Sequence, residues 1–255
     1  MKLKDNLFFL LLILVLVLAA LIFVLSINTG IAYPSLLSVF AVITGLRILK
    51  TLKKQRLEFL NGPARYCRGK GIEIGSGGKH TVKGSMLVDI VDDFSSQNHY
   101  KVDYAHDAHS LPDLKDSSLD YVCSSNVLEH LTDPIKAVLE WLRIVKPGGI
   151  IWIKIPDKRK TFDRTRERTK LEHLIEDFKR GVPVDDPTHI DDHNRNSSPP
   201  RDEKHPYVHN HVWISDDIIE MFGYINKELT RVKIIECSPN TCRNAQDFWI
   251  AVQKT

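Results

Sequence analysis

The stretch Gly71-Ile72-Glu73-Ile74-Gly75-Ser76-Gly77-Gly78 constrains the chain more than any other. A short apolar run carries an acid and then breaks into glycines. A buried parallel strand that stops and turns toward a ligand reads this way. Gly75 and Gly77 lack a Cβ, so the backbone can take positive φ and approach a bound molecule closely. Open α/β sheets bind ligands beyond the carboxyl ends of their strands, where such a turn lies. A tight loop with no ligand has the same composition, so the turn alone does not decide.

The segments that follow add to it. Ser85-Met86-Leu87-Val88-Asp89 is a second apolar run ending in an acid. Asp107-Ala108-His109-Ser110-Leu111-Pro112 comes after a third short segment. Leu119 to Ser125 is a continuous apolar-to-small run, as expected of a strand buried on both faces. It leads into Asn126-Val127-Leu128-Glu129-His130-Leu131. Asp133-Pro134 then opens a helix, with the acid at the cap and the proline in the first turn. Ile135, Val138, Leu139, Leu142 and Ile144 supply its buried stripe, and Trp141 reads as packing. Lys146-Pro147-Gly148-Gly149 is expected to end that helix and turn the chain into a fifth strand, Ile150 to Pro156.

In order and spacing this set resembles the class I S-adenosylmethionine-dependent methyltransferases, in the branch whose domain is called the methyltransferase-11 type. The resemblance covers residues 70–156 well and the remainder of 70–255 loosely. It implies an α/β fold: a doubly wound, mostly parallel, seven-stranded Rossmann-like sheet. Arg231 to Cys237 and Asp247 to Val252 would be a closing antiparallel pair, after a helix from Ser215 to about Asn226. The implied cofactor is S-adenosyl-L-methionine, with Glu73, Gly75, Ser76 and Gly77 along its methionine part. Asp89 would accept from the ribose hydroxyls, Asp107 and Ala108 would lie at the adenine, and Asn126 near the methionine moiety. Only Lys79 to Gly84 separates the glycines from the next strand, where the family carries a fuller helix. Asp92 and Asp93 are therefore reserves for Asp89. Gly75→Val is expected to fill the methionine site while leaving the domain folded.

The acceptor side is less defined. His130 follows the fourth strand and is the candidate base, with a helix-start residue as the bland alternative. The long region 157–211 contains a helical pattern from Thr169 to Lys179 and a polar tract from Val182 to Pro206. Long connections of this kind are often functional, and the resemblance makes this one a lid over the substrate. His189, His205, His209 and His211 are its candidate substrate contacts, with Asp191, Asp192 and His193 nearby. Their spacing matches no metal motif, so no metal is assigned. Arg164, Arg166 and Arg168 would suit an acidic or phosphorylated substrate, or form a solvated basic face.

Leu7 to Ile27 is apolar except for Ser26, about twenty-one residues and long enough to span a bilayer. It has no polar face and is too long for the apolar core of a signal peptide. A second apolar stretch, Ile31 to Leu49, carries Pro34, Thr44, Gly45 and Arg47 as interruptions. Lys50, Lys53, Lys54 and Arg56 follow. Basic flanks stay cytosolic, so a helical hairpin would satisfy both Lys2/Lys4 and the later run. One span with a surface-lying segment is the rival. The layout expected is a membrane anchor over 1–50, a linker helix over 51–69 and a catalytic domain over 70–255 facing the cytosol. A net charge of +3 on 255 residues gives no indication of a nucleic-acid partner. Cys67, Cys123, Cys237 and Cys242 have neither disulfide-scaffold nor zinc-finger spacing and read as reduced thiols. A nicotinamide-dependent oxidoreductase is excluded, because His80 stands where the third glycine of its fingerprint belongs. The surviving readings are methyl transfer to a small-molecule, lipid or glycan-precursor acceptor, or a non-catalytic binding or scaffold protein on the same fold.

Overall fold

A computed structural model describes residues 17, 21, 24, 42–51, 62–77, 80–90, 101–184, 186–189, 208–238 and 246–255. The chain divides into two compact units, Met1–Asn61 and Gly62–Thr255. In the first, residues 17, 21, 24 and 42–51 are helical. Among the described residues no helix is long and apolar enough to cross a membrane. The run Leu7–Ile27 lies outside the described residues except at Val17, Leu21 and Val24, and so does Ile31–Leu49 up to residue 41. Lys53, Lys54, Arg56, Asp92, Asp93, Asp191, Asp192, His193, His205 and Cys242 lie outside them as well.

The second unit is built on a seven-stranded sheet of order β3-β2-β1-β4-β5-β7-β6. Its strands are β1 (Gly71–Ile74), β2 (Met86–Asp89), β3 (Tyr104–Ala105), β4 (Leu119–Ser125), β5 (Val145–Pro156), β6 (Val232–Ser238) and β7 (Asp247–Lys254). The first five pair in parallel. β7 runs antiparallel between β5 and β6, the edge expected from the sequence. Strand order reverses from β1 to β4, so the carboxyl ends of these two strands flank a crevice.

Alternation along the central strands sorts side chains to two faces. Ile72, Ile74, Val122, Ile151, Ile153, Phe248 and Ile250 point into the larger core. The helices α1 (Pro134–Ile144), α2 (Leu171–Arg180) and α3 (Ser215–Tyr224) supply its other wall. Tyr121, Cys123, Trp152, Trp249 and Ala251 point the other way, against Cys67 and Val82. Helices on both faces were expected of a doubly wound sheet. Among the described residues, the buried apolar side chains of α1, α2 and α3 from Ile135 onward join one core, and the described part of the short β1–β2 connection holds no helix. Trp152 and Trp249 fill that face by stacking on one another at 6.1 Å.

Asp133 caps α1 as its sequence predicts, its side chain accepting from the Lys136 N–H at 2.9 Å. The KPGG segment behaves differently from expectation. It does not separate α1 from the strand, since β5 begins at Val145 and includes it, with a register shift between the Leu119 and Tyr121 pairings. The two ends of the 157–211 insertion meet. Asp157 bridges Trp213, and the Thr169 N–H donates to the Val212 carbonyl at 2.9 Å. Cys67, Cys123 and Cys237 are free thiols.

Candidate active site

Three strand ends converge on the glycine turn. Gly75 and Gly77 both take the left-handed backbone, with φ of +67° and +54°. The Gly75 N–H donates to the Val88 carbonyl at 2.9 Å and the Gly77 N–H to Asp89 Oδ2 at 3.1 Å. The carboxylate ending β2 therefore touches the turn ending β1, as the register of parallel strands requires. The two glycines have different reasons for being glycine. A Cβ on Gly77 would meet nothing within 4 Å, whereas one on Gly75 would lie 2.1 Å from Val127 Cγ2. Gly77 thus leaves open space beside the turn. Gly75→Val strikes this chain's own Val127 rather than ligand space, so the folded variant expected from the sequence is not what the packing allows.

Glu73 is buried, and its carboxylate accepts from the Thr81 N–H at 2.7 Å and from the Val82 N–H. It holds the loop after the turn in place of the missing helix. Asp107 lies on the loop after β3, where its Oδ1 takes the His109 N–H at 2.7 Å and His109 Nδ1 at 2.6 Å. The Asp133 N–H donates to the other ring nitrogen at 3.2 Å, so Nδ1 carries the proton. Burial works against the Asp107 charge, but the His109 hydrogen bonds outweigh it and hold the carboxyl below its usual range. Ala108 is buried, and its carbonyl accepts from Trp141 Nε1 at 2.9 Å. Asn126 is exposed just past β4, at a φ of +57°. That strained conformation at a strand end is the kind found at functional sites.

His130 closes a 3-10 turn, Leu128–His130, after β4. Its Nδ1 faces the Val208 carbonyl at 2.8 Å, which fixes the proton there and leaves Nε2 as the unprotonated nitrogen. The structure sets His209 beside it, ring centroids 4.9 Å apart. His209 Nδ1 lies 2.6 Å from Asp163 Oδ2, and Arg166 bridges Asp163 Oδ1 at 3.1 Å and the His209 carbonyl at 2.7 Å. Burial opposes the Asp163 charge, but His209 and Arg166 together hold the carboxyl low. Glu129 is fully buried with no hydrogen bond to either oxygen, and burial raises it to about 8.

Of the residues expected at the site, Glu73, Gly75, Ser76, Gly77 and Asp89 are brought together at the β1 and β2 ends. Asp107 and Ala108 lie on the next loop, and Asn126 and His130 follow β4. The lid histidines divide: His209 joins His130, and His189 and His211 join a separate group with His173 and Asp177. Arg166 turns inward, while Arg164 and Arg168 face solvent. Sequence reasoning missed Glu129, Asp163 and His109. No local signal marks Asp163, because its histidine partner lies across the insertion.

Residues 74–153 match the family model described as a methyltransferase domain. A Mycolicibacterium smegmatis protein described as a probable S-adenosylmethionine-dependent methyltransferase is 36% identical over 67 residues, 26% of this chain and 26% of that protein. An uncharacterized 37.1 kDa transposon protein of Streptomyces fradiae is 41% identical over 51 residues, 20% of this chain and 14% of that one. The chain thus spans about a quarter or less of the length of these relatives. A solved SAM-dependent methyltransferase from Thermotoga maritima aligns over 81% of this chain and 97% of its own, at 16% identity and a TM-score of 0.45. One from Methanosarcina mazei aligns over 75% and 95%, at 17% identity and a TM-score of 0.41.

Proposed function

We propose, from the methyltransferase-domain match and the glycine turn it includes, that this chain is an S-adenosyl-L-methionine-dependent methyltransferase. The observation that carries the reading is the contact of Asp89 with the Gly77 N–H beside open backbone. The residues fit the cofactor: a carboxylate able to accept from two adjacent hydroxyls, a glycine edge with no Cβ in the way at Gly77, and exposed Asn126 just past β4. When bound, the cofactor supplies a methyl group already activated by its sulfonium. The protein's part is to bind, align and exclude water.

On the acceptor side His130 is the base we favour, its tautomer set by the Val208 carbonyl. Asp163 orients His209 next to it in the same manner. Both rings present an Nε2 able to take a proton from a hydroxyl or ammonium acceptor. Phe162, more than half exposed, stacks on His209 at 4.8 Å and offers an apolar contact for the acceptor. The insertion that carries Asp163 and His209 would cover that acceptor.

The acceptor we infer is a small molecule, lipid or glycan precursor reached from the cytosolic face of a membrane. The length and apolarity of Leu7–Ile27 support anchoring, and Val17, Leu21 and Val24 within it are about half exposed. Ile43 and Leu46 are similarly exposed on the 42–51 helix.

Calorimetry on the full chain in detergent tests the cofactor assignment. Asp89→Ala should weaken S-adenosyl-L-methionine binding by about 1.5–3 kcal/mol, the range for a hydrogen bond to a charged group. Unchanged binding would remove Asp89 from the site. Binding without turnover on an acceptor panel would favour the non-catalytic reading, which the short β1–β2 connection also supports.

A further inference from the structure

We propose that His173, Asp177, His189 and His211 form a structural zinc site that ties the insertion together. Their donor atoms all lie within 4.8 Å of one another, from three separate segments. His173 and Asp177 are one turn apart on α2, so both project from the same face. His189 comes from the helical residues 187–189 and His211 from the segment entering the Asp157–Trp213 bridge.

The distances from Asp177 to the three rings suit a coordination shell. Asp177 Oδ2 stands 3.1 Å from His173 Nε2, 3.1 Å from His189 Nε2 and 3.7 Å from His211 Nε2. A tetrahedral ion with bonds of ~2.0–2.1 Å separates its donors by about 3.3 Å. These distances bracket that edge.

Hydrogen bonding explains part of the cluster, since His189 Nε2 lies at hydrogen-bond distance, 3.1 Å, from Asp177 Oδ2, but it does not explain His211. His211 Nδ1 lies 3.0 Å from the Leu131 carbonyl, which can only accept, so the ring proton is on Nδ1. His211 Nε2 is then a lone pair, buried, with no hydrogen-bond partner, facing a carboxylate oxygen that is also a lone pair. Two acceptors facing each other in a buried space repel unless a proton or a metal cation lies between them. Metal-binding histidines pass their second nitrogen to a carbonyl or carboxylate. His211 does so with the Leu131 carbonyl, whereas His189 Nδ1 makes no hydrogen bond, the nearest carboxylate oxygen, Asp186 Oδ1, standing 3.6 Å away. Three imidazoles and one carboxylate form a borderline donor set that suits zinc. Four protein ligands, three of them buried, make a closed site rather than one with a position for substrate.

The site is independent of methyl transfer but adjoins it. The His211 N–H donates to the Glu129 carbonyl at 3.1 Å, one residue before His130. Zinc there would fasten α2 and residues 187–189 to the chain that follows β4.

Metal content of the full chain, purified with a tag free of histidine, tests the inference. The expected result is stoichiometric zinc in the wild type, and a visible d–d spectrum of a tetrahedral ion after cobalt exchange. His173→Ala alters the one ligand near the surface and should fold, with zinc affinity lowered at least ~10-fold. His211→Ala should lose the metal, and His209→Ala, in the neighbouring group, should keep it. Wild type without zinc, and without a rise in Tm when zinc is added, would overturn the site. Zinc retained by both His173→Ala and His211→Ala would overturn it too.

Discussion

At Gly75 the turn has room for a hydrogen and nothing larger. A left-handed backbone costs an L-residue about 1–2 kcal/mol, and overlap of a new Cβ with Val127 comes on top. Gly75→Ala should therefore lower the urea midpoint by more than the backbone effect alone. Adding Val127→Ala should recover the overlap part only. Equal midpoints for Gly75→Ala and wild type would show that the turn is not held against Val127. The meeting of Asp89 with the glycine turn was legible because each closes an apolar run and the two runs pair in parallel. Glu73 was expected along the cofactor, and its structural role was not legible, since its partners, the Thr81 and Val82 N–H groups, belong to a loop with no pattern of its own. Buried Glu129 reads as an ordinary helix-start residue until the surrounding packing is seen.

Elements were read most reliably where periodicity was strong. β4 has the bounds its apolar run suggests, and α1 starts at the proline after its capping acid. The helix pattern from Thr169 became α2, shifted two residues at its start. What periodicity could not show is the pairing of α2 with residues far along the insertion. His173 and Asp177 at i and i+4 were a usable hint, but His211 follows only after a long polar tract. Trp141 links elements in the same non-local way, packing α1 into the core while its Nε1 holds the loop beside Asp107. Trp141→Phe keeps most of the packing and loses that hydrogen bond. Denaturant unfolding should record a loss of about 1–3 kcal/mol, the penalty for an unsatisfied buried carbonyl. A loss near zero would mean the Ala108 carbonyl finds another donor.

For the whole molecule, the proposed anchor turns the cofactor's place into a question of topology, since an S-adenosylmethionine-dependent unit must face the compartment that holds the cofactor. Single cysteines at residues 2, 29 and 54, in a cysteine-free background, can be probed on intact cells with an impermeant thiol reagent. The hairpin predicts labelling at residue 29 alone. Labelling at residue 2 but not 54 indicates a single span, and labelling at 54 puts the catalytic unit outside and contradicts the proposed activity. Within that unit, β7 comes last in the chain yet lies between β5 and β6. During synthesis, therefore, β5 leaves the ribosome with a bare, apolar edge that no earlier strand can cover. Completion of the sheet waits for Asp247–Lys254, and until then a chaperone or another nascent chain can compete for the same edge.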